Sequence, residues 1–451
     1  MNTHSTRRRI GAVTALAAAA AMVLASCSSG SGGGDGFADT APEKLSGTLS
    51  LWHFFTDREA AAIESVVGDF EKANPDVKVQ IHSGQDDEKL AKKLATGTDI
   101  DVAISGSTDS VGLFCASGSF RDLDPVIKRD GIDMSQFTDV AKSYTSFAGK
   151  QCALPMLADA YGLYYNTELL SAAGFTNPPK TLAELEDMAL KLTTYNADGS
   201  IKTLGFNPLM GFYENQPVNY TGVIGGKWMS DDGTKSALDN QGWKDLATWQ
   251  KGFIDKIGYD KLKAFTAGVG DEWSADNAFQ TGQVAMNMDG EWRVAFIADQ
   301  APDLQYGTAP FPVPDGYQDI YGGGYTTGTI AGVARGSQHP DLAWALLKYL
   351  TTDTGAVVKL ANGIKNVPTT KAALTSGDLT YPDQFKTFLD IAASPHLISV
   401  PATAIGHANQ TTFQTFWEQW QSGQATDLDA GLAKADQDID NALALSETPA
   451  G

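Results

Sequence analysis

Between Thr48 and Ser107 the chain alternates strand and helix signals closely enough to exclude most fold classes. Thr48-Leu49-Ser50-Leu51-Trp52 alternates polar and apolar residues with the two-residue period of a half-buried strand. Thr56-Asp57-Arg58-Glu59 then has capping-box spacing, and Ala60, Ile63, Val66, Val67 and Phe70 recur at helical period up to Asn74-Pro75. Val77 to Ile81 reads as a second strand and Asp101 to Ile104 as a third, closed by Ser105-Gly106-Ser107. This order predicts an α/β fold with a largely parallel sheet. Further strands are expected at Gly162 to Asn166 and Val284 to Met288. Helices are expected after the Thr181–Glu184 capping box, at Trp243 to Phe253, at Leu342 to Leu350 and at Ala430 to Leu445. Pro interrupts the apolar runs at Leu154-Pro155-Met156 and Ala309-Pro310-Phe311.

Ahead of this body lies an export signal. Arg7, Arg8 and Arg9 form a positive start, Ile10 to Val23 an Ala-rich apolar stretch, and Leu24-Ala25-Ser26-Cys27 its end. A cysteine at that place resembles the lipobox of bacterial lipoproteins, which implies a signal peptide over 1–26 and lipid on Cys27. The alternative is an ordinary cleaved leader. Residues 27–44, rich in Gly and Ser, read as a flexible tether. The protein is therefore expected on the outer face of the cytoplasmic membrane, anchored by that lipid. The formal net charge is −21, and loss of three arginines with the leader makes the remainder more acidic. Such a surface argues against nucleic acid and anionic lipid as partners. Cys115 and Cys152 remain as an even pair in an oxidising setting, where a disulfide is expected over the alternative of two buried thiols. No Cys or His stands near either at ligand spacing, so no metal and no cofactor is expected.

The motifs of metalloproteases, phosphate-binding loops and serine hydrolases are missing, and Gly322-Gly323-Gly324 misses the dinucleotide pattern by one residue. No catalytic residue is assigned. Glycosidase carboxylate pairs leave no such mark, so a lipid-anchored glycoside hydrolase stays as an alternative.

Several blocks together carry a family resemblance. They are Leu51-Trp52-His53-Phe54-Phe55, Asp101 to Ser105, Tyr164-Tyr165-Asn166-Thr167-Glu168-Leu169-Leu170 and Phe279-Gln280-Thr281-Gly282-Gln283-Val284-Ala285-Met286. Asp289-Gly290-Glu291-Trp292, Gly322 to Gly324 and Ala343 to Leu350 complete them. In order and spacing the chain resembles the sugar-type extracellular solute-binding proteins of ABC importers, the maltodextrin-binding proteins among them. The resemblance implies a two-lobed periplasmic-binding-protein type II fold with an interlobe ligand cleft and three hinge crossings. One lobe would hold 45–154 and 311–361, the other 155–310 and 362–451, with crossings near Pro155 and Pro310. It also implies a carbohydrate ligand, ABC permease subunits as partners, and a monomer.

A sugar pocket needs aromatic faces for the C–H side of a pyranose and carboxylates, amides or backbone N–H groups for its hydroxyls. Loops beyond strand ends hold such residues: Trp52, His53 and Asp57; Ser105 and Asp109; Tyr161; Gly323, Gly324 and Tyr325. By resemblance, Asp159 matches an acidic sugar contact and Trp292 the principal stacking tryptophan. Phe206 and Met210 stand where an aromatic stacker is often found, and His407 near a further aromatic contact. Ser105 replaces an aromatic of the maltodextrin relatives. Trp273 is a further candidate stacker. Against each stands a plainer role: core packing for the tryptophans, turn capping for Asp159, a simple turn for the glycines. Within the binding class, a sugar phosphate, glycerol phosphodiester or polyol is the alternative ligand.

Overall fold

A computed structural model describes residues 36–97, 99–230 and 234–446. The leader, Cys27 and the first part of the tether lie outside the described residues. The chain opens with β1 (Gly47–His53), α1 (Asp57–Ala73), β2 (Val77–His82), α2 (Asp87–Thr96) and β3 (Val102–Ser105). β1 pairs in parallel with β2 on one side and β3 on the other. The α1 face made by Ala60, Ile63, Val66, Val67 and Phe70 is buried, as its period requires. Its expected cap differs: Thr56 makes no side-chain cap bond. Asp57, at φ +47°, turns the chain away from the geometry a capping box needs.

From α3 (Ser110–Ala116) the chain reaches the thirteen-residue β4 (Leu154–Asn166). Leu154, Met156 and Leu157 of β4 pack in the core built on α1 and β1, whereas Tyr161 and Leu163 pack in a second core. The strand thus runs from one lobe into the other. Pro155 does not break it, because the register against the facing strand shifts there and a bulge absorbs the missing N–H. The second lobe continues with α4 (Leu182–Leu192), α5 (Gln241–Ile257), β5 (Met286–Gly290), α6 (Arg293–Gln300) and β6 (Tyr306–Ala309). At α4 the Thr181–Glu184 capping box is formed in both directions.

The return crossing is β7 (Gly324–Val333), antiparallel to both β4 and β3. This corrects the boundary expected at Pro310. Phe311 and Val313 lie in the second core, with the Phe311 ring against Phe206 and Tyr220, so 311–323 belongs to that lobe. Helices α7 (Pro340–Thr352) and α8 (Thr354–Ile364) return to the first lobe. The boundary expected after 361 is corrected as well: Thr370 bridges Phe137, Lys371 donates to the Ser135 carbonyl and Ala373 packs on Val357 and Val358, so residues 369–379 also belong there. Trp344 of α7 is buried there, its Nε1 donating to Asp130 at 2.8 Å. A third crossing, β8 (Val367–Pro368), pairs with Leu157 and Ala158 of β4. Short β9 (Leu397–Ile398) adds to β7, and α9 (Ala408–Gln421) and α10 (Leu428–Ser446) close the second lobe around Trp243, Phe413 and Trp417.

The fold is therefore two lobes of mixed α/β structure joined by three strands within one sheet, in the order β6-β4-β7-β3-β1-β2. The expected bridge is present: Cys115 and Cys152 are disulfide-bonded with Cα atoms 5.7 Å apart, both in the first lobe. The tether is shorter than expected. Phe37 is buried beneath the Arg121 guanidinium, and the Ala38 N–H donates to Asp341 at 3.0 Å, so the packed body already holds these residues. No described helix is long and apolar enough to cross a membrane.

Candidate ligand cleft

Where the lobes face each other they enclose a cleft of about 670 Å³. The first lobe contributes Asp87 and Glu88 from the start of α2, Gly106 and Ser107 from the loop after β3, and Asp109 before α3. The second contributes Tyr161 of β4, Glu214, Gln216 and Asn219 from an irregular loop, Tyr325 and Thr327 of β7, and His407 and Gln410 near the start of α9. Asp109, Tyr161, Tyr325 and His407 from the sequence-derived set thus come together here. The Tyr161 and Tyr325 rings lie 5.8 Å apart and Trp292 meets the Tyr161 ring edge-on at 5.5 Å. The two tyrosines line the cleft with flat faces of the kind a sugar ring packs against, and Trp292 stands against Tyr161 outside that lining.

Trp292 is set by its neighbours. It follows β5 and leads into α6, and a Cβ on Gly290 would come within 2.3 Å of its indole, so only glycine lets the ring lie there. Beneath it Arg293 is fully buried, bonded through Nε to Asp289 at 2.7 Å and through Nη1 to the Glu272 carbonyl at 3.0 Å. Trp273 is 46% exposed, outside the cleft lining, and covered on one face by the same guanidinium at 5.4 Å.

At the hinge stands a carboxyl cluster. Asn366, just before β8, donates through Nδ2 to Asp159 Oδ1 and to Glu291 Oε1, each at 2.6 Å. Glu291 Oε2 accepts from the Ala160 N–H at 2.8 Å. Burial pushes the Asp159 carboxyl up to about 7, with the hydrogen bond from Glu291 opposing it. Burial also lifts Glu59 of α1 to about 7 and holds Glu291 well above the usual carboxylate range. The lobes also touch directly: Arg58 Nε reaches Asp299 at 2.9 Å, and Gln410 Nε2 donates to Asp109.

Other expected contacts are corrected. Trp52 packs in the first-lobe core against Ala103, Phe114 and Ile330, its Nε1 donating to Ser50 at 3.1 Å, because strand parity points it away from the cleft. His53 is fully buried, and that burial drives its pKa down to about 4. Phe206 and Met210 are second-lobe core, 1% and 2% exposed. The Gly323 N–H is spent on Ile320, and the Gly324 backbone leaves no room for a side chain on Gly222, so both serve the packing of this segment. Ser105 is buried, its Oγ accepting from the Ser107 N–H at 3.2 Å, and thus shapes the loop beneath the cleft. Asp57 is exposed at the start of α1, outside the lining. Asp87, Glu214, Gln216, Asn219 and Gln410 were not anticipated: they stand in irregular loops or at helix starts with no motif around them. Among the described residues no cluster of His, Cys, Asp or Glu fits a metal ion.

A model of the bacterial extracellular solute-binding proteins matches residues 56–357. The chain belongs to that family. Among relatives of this solute-binding protein, the maltotriose-binding protein of Pyrococcus abyssi is 23% identical over 337 residues, 74% of this chain and 69% of that one. The maltodextrin-binding protein MdxE of Bacillus subtilis is 28% identical over 332 residues, covering 70% and 72% of the two chains. Of solved structures, CpMnBP1 with mannotriose bound superposes with a TM-score of 0.77 at 26% identity, over 86% of this solute-binding protein and 99% of that chain.

Proposed function

We propose that this solute-binding protein is the receptor of an ABC importer: it captures a carbohydrate between its lobes and delivers it unaltered to a membrane permease. One observation carries the reading. A 670 Å³ cleft between two lobes joined by three strands is lined by two tyrosines, by carboxyl groups from both sides and by amides from the second lobe. Relatives named for maltotriose and maltodextrin, and a similar structure holding mannotriose, support a saccharide as ligand. Contacts from both lobes favour the closed form, and closure makes the joint surface that a permease reads. Trp292 and Asp159 flank the ligand, and lipid on Cys27 keeps a monomeric receptor at the outer face of the cytoplasmic membrane.

The hydrolase alternative needs two carboxyls facing each other across a glycosidic bond. Asp159 and Glu291 are both engaged by the Asn366 amide, which commits that pair to the hinge; for the carboxyls lining the cleft the assay below decides. A thermal-shift screen against a carbohydrate library tests the reading, since a ligand that binds the folded form raises the melting temperature. At least one saccharide is expected to do so and to be recovered intact; steady release of cleaved sugar would contradict it.

A further inference from the structure

The residues lining the cleft include four carboxyl side chains, Asp87, Glu88, Asp109 and Glu214, and no lysine or arginine. Their placement is specific. Asp109 is 4% exposed; its Oδ2 accepts from Gln410 and faces His407 Nδ1 at 3.6 Å, while its Oδ1 has no hydrogen-bond partner. Asp87 repeats the arrangement, engaged by Ser105 and the Gly106 backbone yet with Oδ1 unpartnered. Glu214 approaches from the other lobe, steadied by Asn219. His407, the basic side chain of this lining, is already committed to Asp109, which raises its pKa.

Resting on the carbohydrate reading above, we propose that the saccharide carries a protonated amine: an amino sugar whose ammonium group lies among Asp87, Asp109 and Glu214, with its ring against Tyr161 and Tyr325. Sugar hydroxyls are bound as well by amides, which do not repel one another. Like-charged carboxyls gathered in one low-dielectric cavity are costly unless a cation joins them. Burial raises Asp87 and lifts Glu214 to about 8, where Asp289 and Asp159 add to the rise and Arg293 opposes it. An ammonium within a few ångströms favours the ionised carboxylates again. Its charged N–H groups bring a cation to the carboxylates of a lining that holds no lysine or arginine, and the two tyrosine faces add cation–π attraction. A phosphate ester has the wrong sign for this lining, and an N-acetylated sugar offers one neutral N–H in place of three charged ones.

The test is calorimetric titration of the mature protein at pH 7 with matched triplets of mono- and disaccharides. Each triplet holds the 2-amino, 2-acetamido and 2-hydroxy forms of one sugar, in the gluco, galacto and manno series. In the series that binds, the amine is expected to be preferred by roughly tenfold or more over both partners, the value of one charge-assisted hydrogen bond. Asp109→Asn and Glu214→Gln are each expected to reduce that preference to a few-fold while affecting the neutral forms less. Asp87→Asn serves as a third variant should either fail to fold. Equal or tighter binding of a neutral form overturns the inference and leaves the carbohydrate reading standing. Binding by no member of any triplet, with no hit in the wider library, removes both. A uniform loss across all three forms in the variants marks the carboxyls as structural and also overturns it.

Discussion

Two tryptophans separate binding from packing. Trp292 is partly open and meets Tyr161 edge-on, whereas Trp344 is 1% exposed and tied to Asp130. Trp292→Ala is expected to weaken saccharide binding by roughly tenfold with little change in the unfolding midpoint. Trp344→Ala is expected to cost about 3–5 kcal/mol of stability in denaturant titration and to leave affinity per folded molecule unchanged. Residues of this kind were only half legible in the sequence. A tryptophan's bulk suits a core and a pocket equally, so Trp52 was misjudged where the side of the strand, not the residue type, decides. The hinge carboxyls yield a pH prediction. Asp159 and Glu59 rise from the usual 3.8 and 4.5 to about 7, so the folded form binds protons that the unfolded chain releases. Their contribution is full below those usual values and is lost as pH rises toward 7 and beyond. Denaturation curves taken between pH 4.5 and 8 should therefore show stability falling with pH, and Asp159→Asn should flatten the slope. An unchanged slope would contradict the assignment.

At the scale of elements, the Cys115–Cys152 bridge closes a loop with a sequence separation of 37 and lies within the first lobe. Replacing both cysteines with serine should lower stability by about 3–4 kcal/mol in chemical denaturation while saccharide affinity stays within about twofold. A loss of affinity instead would mean that the bridge holds the cleft. The α/β order, the α1 face, the Thr181 box and the bridge were readable because each follows from local period or count. Three features were not. Pro155 sits inside a continuous strand because a bulge in the pairing absorbs it, and pairing is not local. The return crossing lies in β7, not at Pro310, because Phe311 and Val313 find their partners in the second core. Glu214 stands next to Tyr213, at φ +52°, in a loop whose path only the finished lobe dictates.

For the whole molecule, three strands carry the chain between lobes, and direct side-chain contacts also join the lobes. Arg58 and Asp299 form one of them, with the aspartate 54% exposed, so screening keeps its worth small. Asp299→Asn should change saccharide affinity by less than about fivefold, and by less still at high salt. The two-lobed plan was visible from the order of the family blocks. Its acidic cleft was not, since Asp87, Asp109 and Glu214 lie far apart in the chain and meet only when both lobes have formed. Hydrogen–deuterium exchange with and without a bound saccharide tests the central claim most directly. Protection is expected together at residues 105–110 and at residues 213–219, 325–327 and 405–411, segments from opposite walls of the cleft. Protection confined to one lobe, or to surfaces away from these segments, would contradict it.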